Sequence, residues 1–185
     1  KMELRMTEVQ INYKEPLQVE GEVIIRAYKK GVIRELLNTG VEIDQVEETA
    51  RLEGQLVAES KRHNLVTNAG KELVAKLIID SDPTGITYLA IGTGVTAPSV
   101  TDTALAAEAS RKQVTSRRVN GSAISISTFF LASESNYYIR EIGYFGGSEA
   151  GAGANSGTLF SRINQIFDNS AGLYDLTFEY TLAVN

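Results

Sequence analysis

Alternation of apolar and polar residues is clearest near the C-terminal end of the chain. Across residues 173–182, every second position from Tyr174 onward is apolar and the positions between are polar. The apolar set is Tyr174, Leu176, Phe178, Tyr180 and Leu182, and the polar set is Asp175, Thr177, Glu179 and Thr181. Successive side chains of a strand point to opposite faces, so this pattern predicts a half-buried strand.

Further strand patterns cover residues 86–91, 138–145 and 158–163, with turn signals between them. Residues 112–119 and 122–129 predict a hairpin in which Asn120-Gly121 supplies the two positive φ angles of a type I′ turn. With at least six short strands of this kind, the predicted fold is mainly β, an antiparallel sandwich or jelly roll.

Two helical patterns interrupt the strands. Residues 69–79 carry an apolar stripe, with Asn68 as the expected N-cap, and should lie across one sheet. The stripe consists of Leu73, Val74, Leu77 and Ile78. A second, Ala-rich segment at residues 103–109 follows Asp102 and predicts a short surface helix.

The N-terminal part differs in charge from the rest. Val9, Ile11 and Tyr13 alternate with polar residues, residues 23–28 predict another strand, and residues 32–53 fit either a helix or a strand. Residues 1–80 carry 12 Lys+Arg and 14 Asp+Glu, whereas residues 81–185 carry 6 and 9. The change predicts a β-containing attachment or assembly region at 1–55 and a β-sandwich domain at 56–185.

Composition narrows the function classes. A net charge of -5 argues against recruitment to nucleic acid or to an anionic membrane by bulk electrostatics. The chain has no Cys, which excludes disulfides and zinc–thiolate sites and fits a reducing compartment. Without a long apolar run or an apolar signal core at the start, we expect neither a membrane span nor secretion.

Candidate chemistry is sparse. The only histidine, His63, has no evident relay partner and is predicted to lie on the surface or at a strand end. Gly92-Thr93-Gly94 lacks the third glycine of a dinucleotide loop and predicts a turn. The acidic spots at residues 80–82 and 47–48 lack the ligand spacing of a calcium loop. We therefore predict no catalytic, cofactor or metal site, with a carboxylate-type enzyme as a minor alternative.

Two groups of residues are candidates for partner contacts. The first is a charged set, in which Arg111-Lys112 and Arg117-Arg118 could contact phosphate but lack interleaved aromatics. We expect instead that these charges lie on the open face of a strand or pair with Glu108 or Glu134 across a subunit boundary. The assembly candidates are Arg117, Arg118, Arg140 and Glu141.

The second group is a glycine-rich segment beside a tyrosine pair. Residues 146–157 contain five Gly and no large apolar residue, which predicts a mobile loop that could order on a partner. The candidate receptor contacts are Gly146, Gly147, Ser148, Asn155, Tyr137 and Tyr138. A surface glycan is the expected ligand, and at most one tyrosine can be presented, because neighbours on a strand face opposite ways.

Several of these segments also occur in a characteristic order. They are residues 63–77, 86–98, 102–108, 117–130, 139–146 and 157–162. Taken together they resemble a family of tailed-phage and prophage virion structural proteins, over residues 56–184. The match is weaker for residues 1–55.

The resemblance implies a non-enzymatic virion protein made in the host bacterial cytoplasm. It implies an oligomeric tail component of a fibre, baseplate or adaptor, with a capsid decoration protein as the first alternative and a host-surface glycan-binding module as the second. The implied partners are other copies of the chain, as a trimer by family analogy, and other proteins of the tail or capsid. No cofactor, nucleic acid or membrane is expected.

Overall fold

The structure is a computed structural model that describes residues 19–42 and 45–184. In this part of the chain the strands form two five-stranded sheets, and every registered strand pair is antiparallel. Residues from both sheets share one apolar core, so the sheets pack face to face. The predicted mainly β, antiparallel sandwich is confirmed.

Strands and helices are numbered in chain order. Sheet A has the order β2-β1-β10-β7-β6, and sheet B has the order β3-β9-β8-β4-β5. The strands of sheet A are β1 (Val19–Lys29), β2 (Leu56–His63), β6 (Ser116–Asn120), β7 (Ala123–Phe130) and β10 (Tyr174–Val184). The strands of sheet B are β3 (Leu65–Val66), β4 (Ile86–Gly92), β5 (Glu108–Gln113), β8 (Tyr138–Gly146) and β9 (Thr158–Asp168).

The inner faces of the sheets meet through aromatic side chains. Tyr180 of β10 stacks on Tyr144 of β8 with ring centroids 4.5 Å apart, and Phe160 of β9 meets the edge of Tyr180. Leu176, Phe178, Tyr180 and Leu182 are all buried, as the alternation predicted. The opposite face of β10 is largely covered too, since Asp175 and Thr177 are buried. The outer face of the strand is therefore buried at Asp175 and Thr177 and half-buried at Glu179 and Thr181, which is more cover than the alternation predicted.

The cover over sheet A comes from two short helices between β1 and β2. Helices α1 (Val32–Asn38) and α2 (Val46–Leu52) pack their apolar residues on the outer face of β1 and form a second small core. Of the open segment at residues 32–53, positions 32–38 and 46–52 are therefore helical, residues 39–42 form neither helix nor strand, and positions 43–44 lie outside the described residues. The alternation at Val9–Tyr13 also lies outside them. β1 itself pairs with β2 on one side and β10 on the other.

Helix α3 (Asn68–Ile78) packs against β9, close to the predicted range. Its N-cap is Thr67 rather than Asn68, because the Thr67 hydroxyl accepts the Gly70 amide at 2.9 Å and donates to Leu159 O at 2.5 Å. A Cβ on Gly70 would collide with the Phe160 carbonyl, so glycine permits the close approach. The predicted stripe is buried at Leu73, while Ile78 is 73% exposed.

The short helix predicted at residues 103–109 is wrong. Residues 103–107 form no helix, and β5 begins at Glu108. The amides of Leu105, Ala106 and Ala107 donate to side chains from other parts of the chain, so they are not available to a helical turn. Asp102 caps no helix but accepts the Ser99 amide at 2.9 Å.

The hairpin between β6 and β7 is confirmed, but its turn is not the predicted one. Asn120 pairs with Ala123, so the two loop residues are Gly121 and Ser122. Gly121 has φ 60°, and Asn120 has no positive φ. A single positive φ at the first loop position is typical of a type II′ turn. Residues 112–119 also do not form one strand, because β5 ends in sheet B and β6 begins in sheet A.

Candidate functional site

The glycine-rich segment is attached to the sandwich at both ends. Gly146 and Gly147 are buried at the end of β8, so they offer no exposed contact. Ser148 is exposed, and its amide donates to the Asp82 carboxylate at 3.1 Å. This hydrogen bond, with one from the Thr84 amide, holds the pKa of Asp82 below its usual value.

Polar contacts fix the rest of the segment, contrary to the mobile loop that its composition predicts. The Arg111 guanidinium donates to the carbonyls of Ser156 at 2.8 Å and Gly151 at 3.2 Å. Glu108 accepts from Arg111 at 2.8 Å and from the exposed Asn155 amide at 2.9 Å. Arg111 also lies over the Phe145 ring, 4.0 Å from its centroid. Hydrogen bonds therefore hold the glycine-rich segment against the sandwich.

The two tyrosines lie at the other end of β8. Tyr137 packs against the main core, whereas Tyr138 is 38% exposed, so one tyrosine is presented, as expected. β8 runs from Tyr138 to Gly146, and at about 3.3 Å per residue its ends are about 26 Å apart. The structure therefore does not bring the loop residues and the tyrosines together into one glycan site.

An open groove surrounds Tyr138. Its volume is about 410 Å³, and it is lined by Ser60, Arg62, Val95, Tyr138, Arg140, Asn164 and Ile166. The Arg140 guanidinium lies 4.6 Å from the centroid of the Tyr138 ring. Among the described residues, the lining contains two arginines and no carboxylate. We call this surface the Tyr138 groove.

The predicted basic pair Arg117-Arg118 lies on β6, at an edge of sheet A. Both residues are exposed, and Arg118 also lines a cavity of about 150 Å³ with Glu47 and Glu179. The other half of the basic motif is used internally: Arg111 binds Glu108 as described, and Lys112 binds Glu134 at 2.6 Å. The predicted partners were correct, but they belong to the same chain rather than to a neighbouring subunit.

Glu141 is completely buried, although the sequence suggested a surface assembly contact. Its carboxylate binds Arg162 at 2.8 Å and accepts the amides of Gly94 at 3.0 Å, Ala106 at 2.9 Å and Ala107 at 2.7 Å. Arg162 in turn binds Asp102 at 2.7 Å. These three side chains, the Glu141 network, fix residues 93–107 against sheet B. Arg140 points the other way and is exposed, as the alternation predicted.

Two glycines at and just after the end of β4 leave space for this carboxylate. A Cβ on Gly94 would collide with Glu141 Oε1, and a Cβ on Gly92 would lie 2.5 Å from Ala107 O and 2.7 Å from Glu141 Oε1. Real Cβ atoms do not approach so closely, so both positions need glycine. Gly92 is the last residue of β4 and residues 93–94 form no turn, so the turn predicted for Gly92-Thr93-Gly94 is wrong, and the two glycines instead leave space for a buried carboxylate.

Comparison with known families matches residues 59–151 to the family described as phage tail-collar fibre protein, N-terminal. The chain belongs to this family. A comparison with curated proteins and one with solved structures each found no match. Family membership confirms the resemblance suggested by the ordered segments and makes the chain a structural protein of the phage tail, located in the virion.

The matched span does not coincide with the folded unit. It ends at Gly151, inside the glycine-rich segment, while β1, β9 and β10 lie outside it. Yet β1 and β10 are central strands of sheet A, and β9 pairs with β8 in sheet B. The sandwich of this tail-collar fibre chain is therefore completed by residues on both sides of the family segment.

One charged cluster in the tail-collar fibre chain was missed by sequence reasoning. Arg26 on β1 binds Glu47 of α2 at 2.9 Å, Glu59 of β2 at 2.7 Å and Glu179 of β10 at 2.9 Å. Burial alone would lower the pKa of Arg26, but hydrogen bonds to Glu179 and Glu59 raise it above its usual value. We call these four residues the Arg26 cluster. The only sequence signal was the acidic pair 47–48, which was compared only with a calcium loop.

Two further observations concern chemistry in the part of the chain that the structure describes. His63 is exposed at the end of β2, as predicted. No group of three or more His, Asp or Glu side chains there is placed to hold a metal ion. Among the same residues, no helix is long and apolar enough to cross a membrane.

Proposed function

We propose that this chain is an oligomeric component of the phage tail that works through protein–protein contacts, as part of a fibre, baseplate or adaptor. The match over residues 59–151 to the tail-collar fibre family carries the proposal. The geometry supports it, because three buried charged residues, Glu141, Asp175 and Arg162, bind groups of the same chain. Such networks give a rigid body that can present fixed surfaces.

We expect copies of the chain to contact each other through side chains rather than by pairing their edge strands into one continuous sheet. Both edge strands of sheet A carry exposed positive charges, Lys61 and Arg62 on β2 and Arg117 and Arg118 on β6. Charged side chains on edge strands discourage edge-to-edge pairing. We therefore propose that copies meet through shaped surfaces, and we retain the trimer as the working stoichiometry.

The attachment role of residues 1–55 is also a proposal. β1 supports the sandwich, so we assign attachment to the exposed face of α1, which carries Arg34 and Glu35. Arg34→Glu combined with Glu35→Arg should reduce incorporation of the chain into particles without changing its solution mass. Full incorporation of this variant would contradict the assignment.

We further propose that the chain acts without catalysis. Its single histidine is exposed at a strand end, so the carboxylates are the first groups to test as a general base. Incubation with host surface polysaccharide should leave the polymer length unchanged. Depolymerisation that is lost in one Asp or Glu variant would overturn this proposal.

Two measurements test the main proposal. Light scattering of the purified chain should give three times the 20.1 kDa chain mass. Immunogold electron microscopy of native particles should place the label on the tail at the fibre, baseplate or collar. A mass of one chain at high concentration would contradict the oligomer, and label on the capsid surface would contradict the position.

A further inference from the structure

The Tyr138 groove has the composition of a protein-docking surface. Tyr138, Arg62 and Arg140 are of the residue types enriched at the centre of interfaces. Val95 and Ile166, also in the lining, are 67% and 68% exposed. Apolar side chains flanked by charged groups favour a partner that has an apolar anchor of its own.

The charge of the groove narrows the choice of partner. Within the described residues, neither Arg62 nor Arg140 has a carboxylate at ion-pair distance, whereas Arg26, Arg111 and Arg162 all do. The chain as a whole has a net charge of -5, so this basic groove contrasts with its average surface. An acidic partner is therefore expected.

A complementary feature lies at the end of α2. Leu52 is 82% exposed, the highest value among the exposed large apolar side chains of the described residues. Glu48, one turn earlier, and Glu53, the next residue, are also exposed. We call these three residues the α2 corner. The α2 corner presents an apolar side chain between two carboxylates. These are the two properties expected of a partner that binds the groove.

The groove and the α2 corner of one molecule lie on opposite sides of β2. Glu59 of β2 points to Arg26 and α2, while the next residue, Ser60, binds Gln165 of β9 and lines the groove. Neighbouring side chains of a strand face opposite ways, so the corner of a molecule has no access to its own groove. A contact between the two surfaces must join different molecules.

We propose that the Tyr138 groove of one copy receives the α2 corner of a second copy. Leu52 packs between Val95 and Ile166, and the two glutamates bind Arg62 and Arg140. This contact joins unlike surfaces, so it gives a closed ring, such as a trimer, only if its rotation closes, and an open filament otherwise. The inference rests on the proposed oligomeric function and names the interface that produces it.

Charge reversal tests the interface directly. Arg62→Glu with Arg140→Glu should raise the concentration for half-assembly by roughly tenfold or more, because like charges would then face each other. Glu48→Arg with Glu53→Arg should do the same. All four substitutions in one chain restore complementarity and should restore the wild-type mass in light scattering. Leu52→Asp, which removes the apolar anchor, should also dissociate the assembly.

A matched control removes the same positive charge elsewhere. Lys30 after β1 and Lys71 on α3 are exposed and lie outside the groove, so Lys30→Glu with Lys71→Glu should leave the assembly unchanged. All these positions are exposed, and circular dichroism of each variant should match the wild type.

The possible outcomes separate this inference from the proposed function. If the wild-type chain is oligomeric but both reversals leave it so, or the fourfold variant fails to reassemble, the inference is wrong and the oligomer uses another surface. If the wild-type chain is monomeric and the groove binds only a different acidic protein, both the inference and the self-assembly proposal are wrong. Dissociation by each reversal and recovery in the fourfold variant would support the interface.

Discussion

Each sheet of the sandwich carries an arginine bound to carboxylates. The two arrangements differ in how far the carboxylates are shielded from water, and we call the shielded one closed and the exposed one open. On sheet B, Glu141 and Arg162 are buried, and backbone amides complete the coordination of the carboxylate. On sheet A, Arg26 is buried, but its three glutamates are 26%, 26% and 42% exposed. The first fixes a loop in one geometry, whereas the second attaches α2 through contacts that water and salt can reach.

Within the Glu141 network, Glu141→Ala should lower the unfolding free energy most. The substitution leaves Arg162 buried with one carboxylate fewer and removes the acceptor of three amides, which we expect to cost about 3–5 kcal/mol of unfolding free energy. Chemical denaturation measures the loss. Arg140→Ala, its exposed neighbour, should change the unfolding free energy by less than about 0.5 kcal/mol.

A double substitution separates pairing from packing in this network. If the cost comes from an uncompensated charge, Glu141→Ala with Arg162→Met should lose less stability than the sum of the two single variants. Additive losses would mean that the two side chains contribute independently. The closed network would then not act as a unit.

Gly94→Ala should have the next largest effect, because the new Cβ must displace the Glu141 carboxylate. Overpacking of this kind costs about 1–3 kcal/mol. Gly153→Ala is the matched control, since a Cβ there meets nothing within 4 Å and the residue has no positive φ. Equal stability of the two variants in thermal denaturation would show that residues 93–107 can move away from the carboxylate.

Strands could be predicted from the sequence, whereas contacts between remote residues could not. The strands were predictable because burial follows a period of two, as in β10, where Leu176, Phe178, Tyr180 and Leu182 all lie in the core. The failure at residues 103–109 has a single cause. Their amides bind Glu141 and Asn155, which are remote in sequence, and helix propensity carries no information about such acceptors.

The predicted contact residues on β8 were only partly correct, because the sequence does not show which strand faces the rest of the chain covers. Alternation correctly placed Arg140 and Glu141 on opposite faces, but both faces of β8 are partly covered, so the polar residue Glu141 is buried. The Arg26 cluster joins residues up to 153 positions apart. No local pattern reports such a contact, and family membership covers only residues 59–151.

Arg26→Met tests the contribution of the Arg26 cluster to stability. Three glutamates would lose their shared cation, and because they are partly exposed we expect a loss of about 1–2 kcal/mol. Hydrogen exchange of the α2 amides should become faster, because Glu47 anchors that helix. In 1 M NaCl the difference in unfolding free energy between wild type and Arg26→Met should become smaller, while the difference between wild type and Glu141→Ala should not.

Lys61→Met is the control for this experiment, since it removes one exposed ion pair with Glu22 on the same sheet. It should change the unfolding free energy by less than about 0.5 kcal/mol and leave α2 exchange unchanged. Unaltered α2 exchange in Arg26→Met would show instead that the apolar contacts of Val46 and Ala50 suffice to hold the helix.

The smallest effect is expected at Asp102, where the closed network reaches the surface. Partial burial would raise the pKa of its carboxyl, but the Ser99 amide and the Arg162 guanidinium outweigh it, so the pKa lies below its usual value. A depressed pKa in the folded state adds stability above the unfolded pKa of about 4, and that stability is lost as the pH falls through the folded pKa. Asp102→Asn should therefore be less stable than wild type by under about 1 kcal/mol at neutral pH. The difference should shrink below pH about 4 in denaturation curves. A difference that persists unchanged at low pH would mean that Asp102 contributes through its shape rather than its charge.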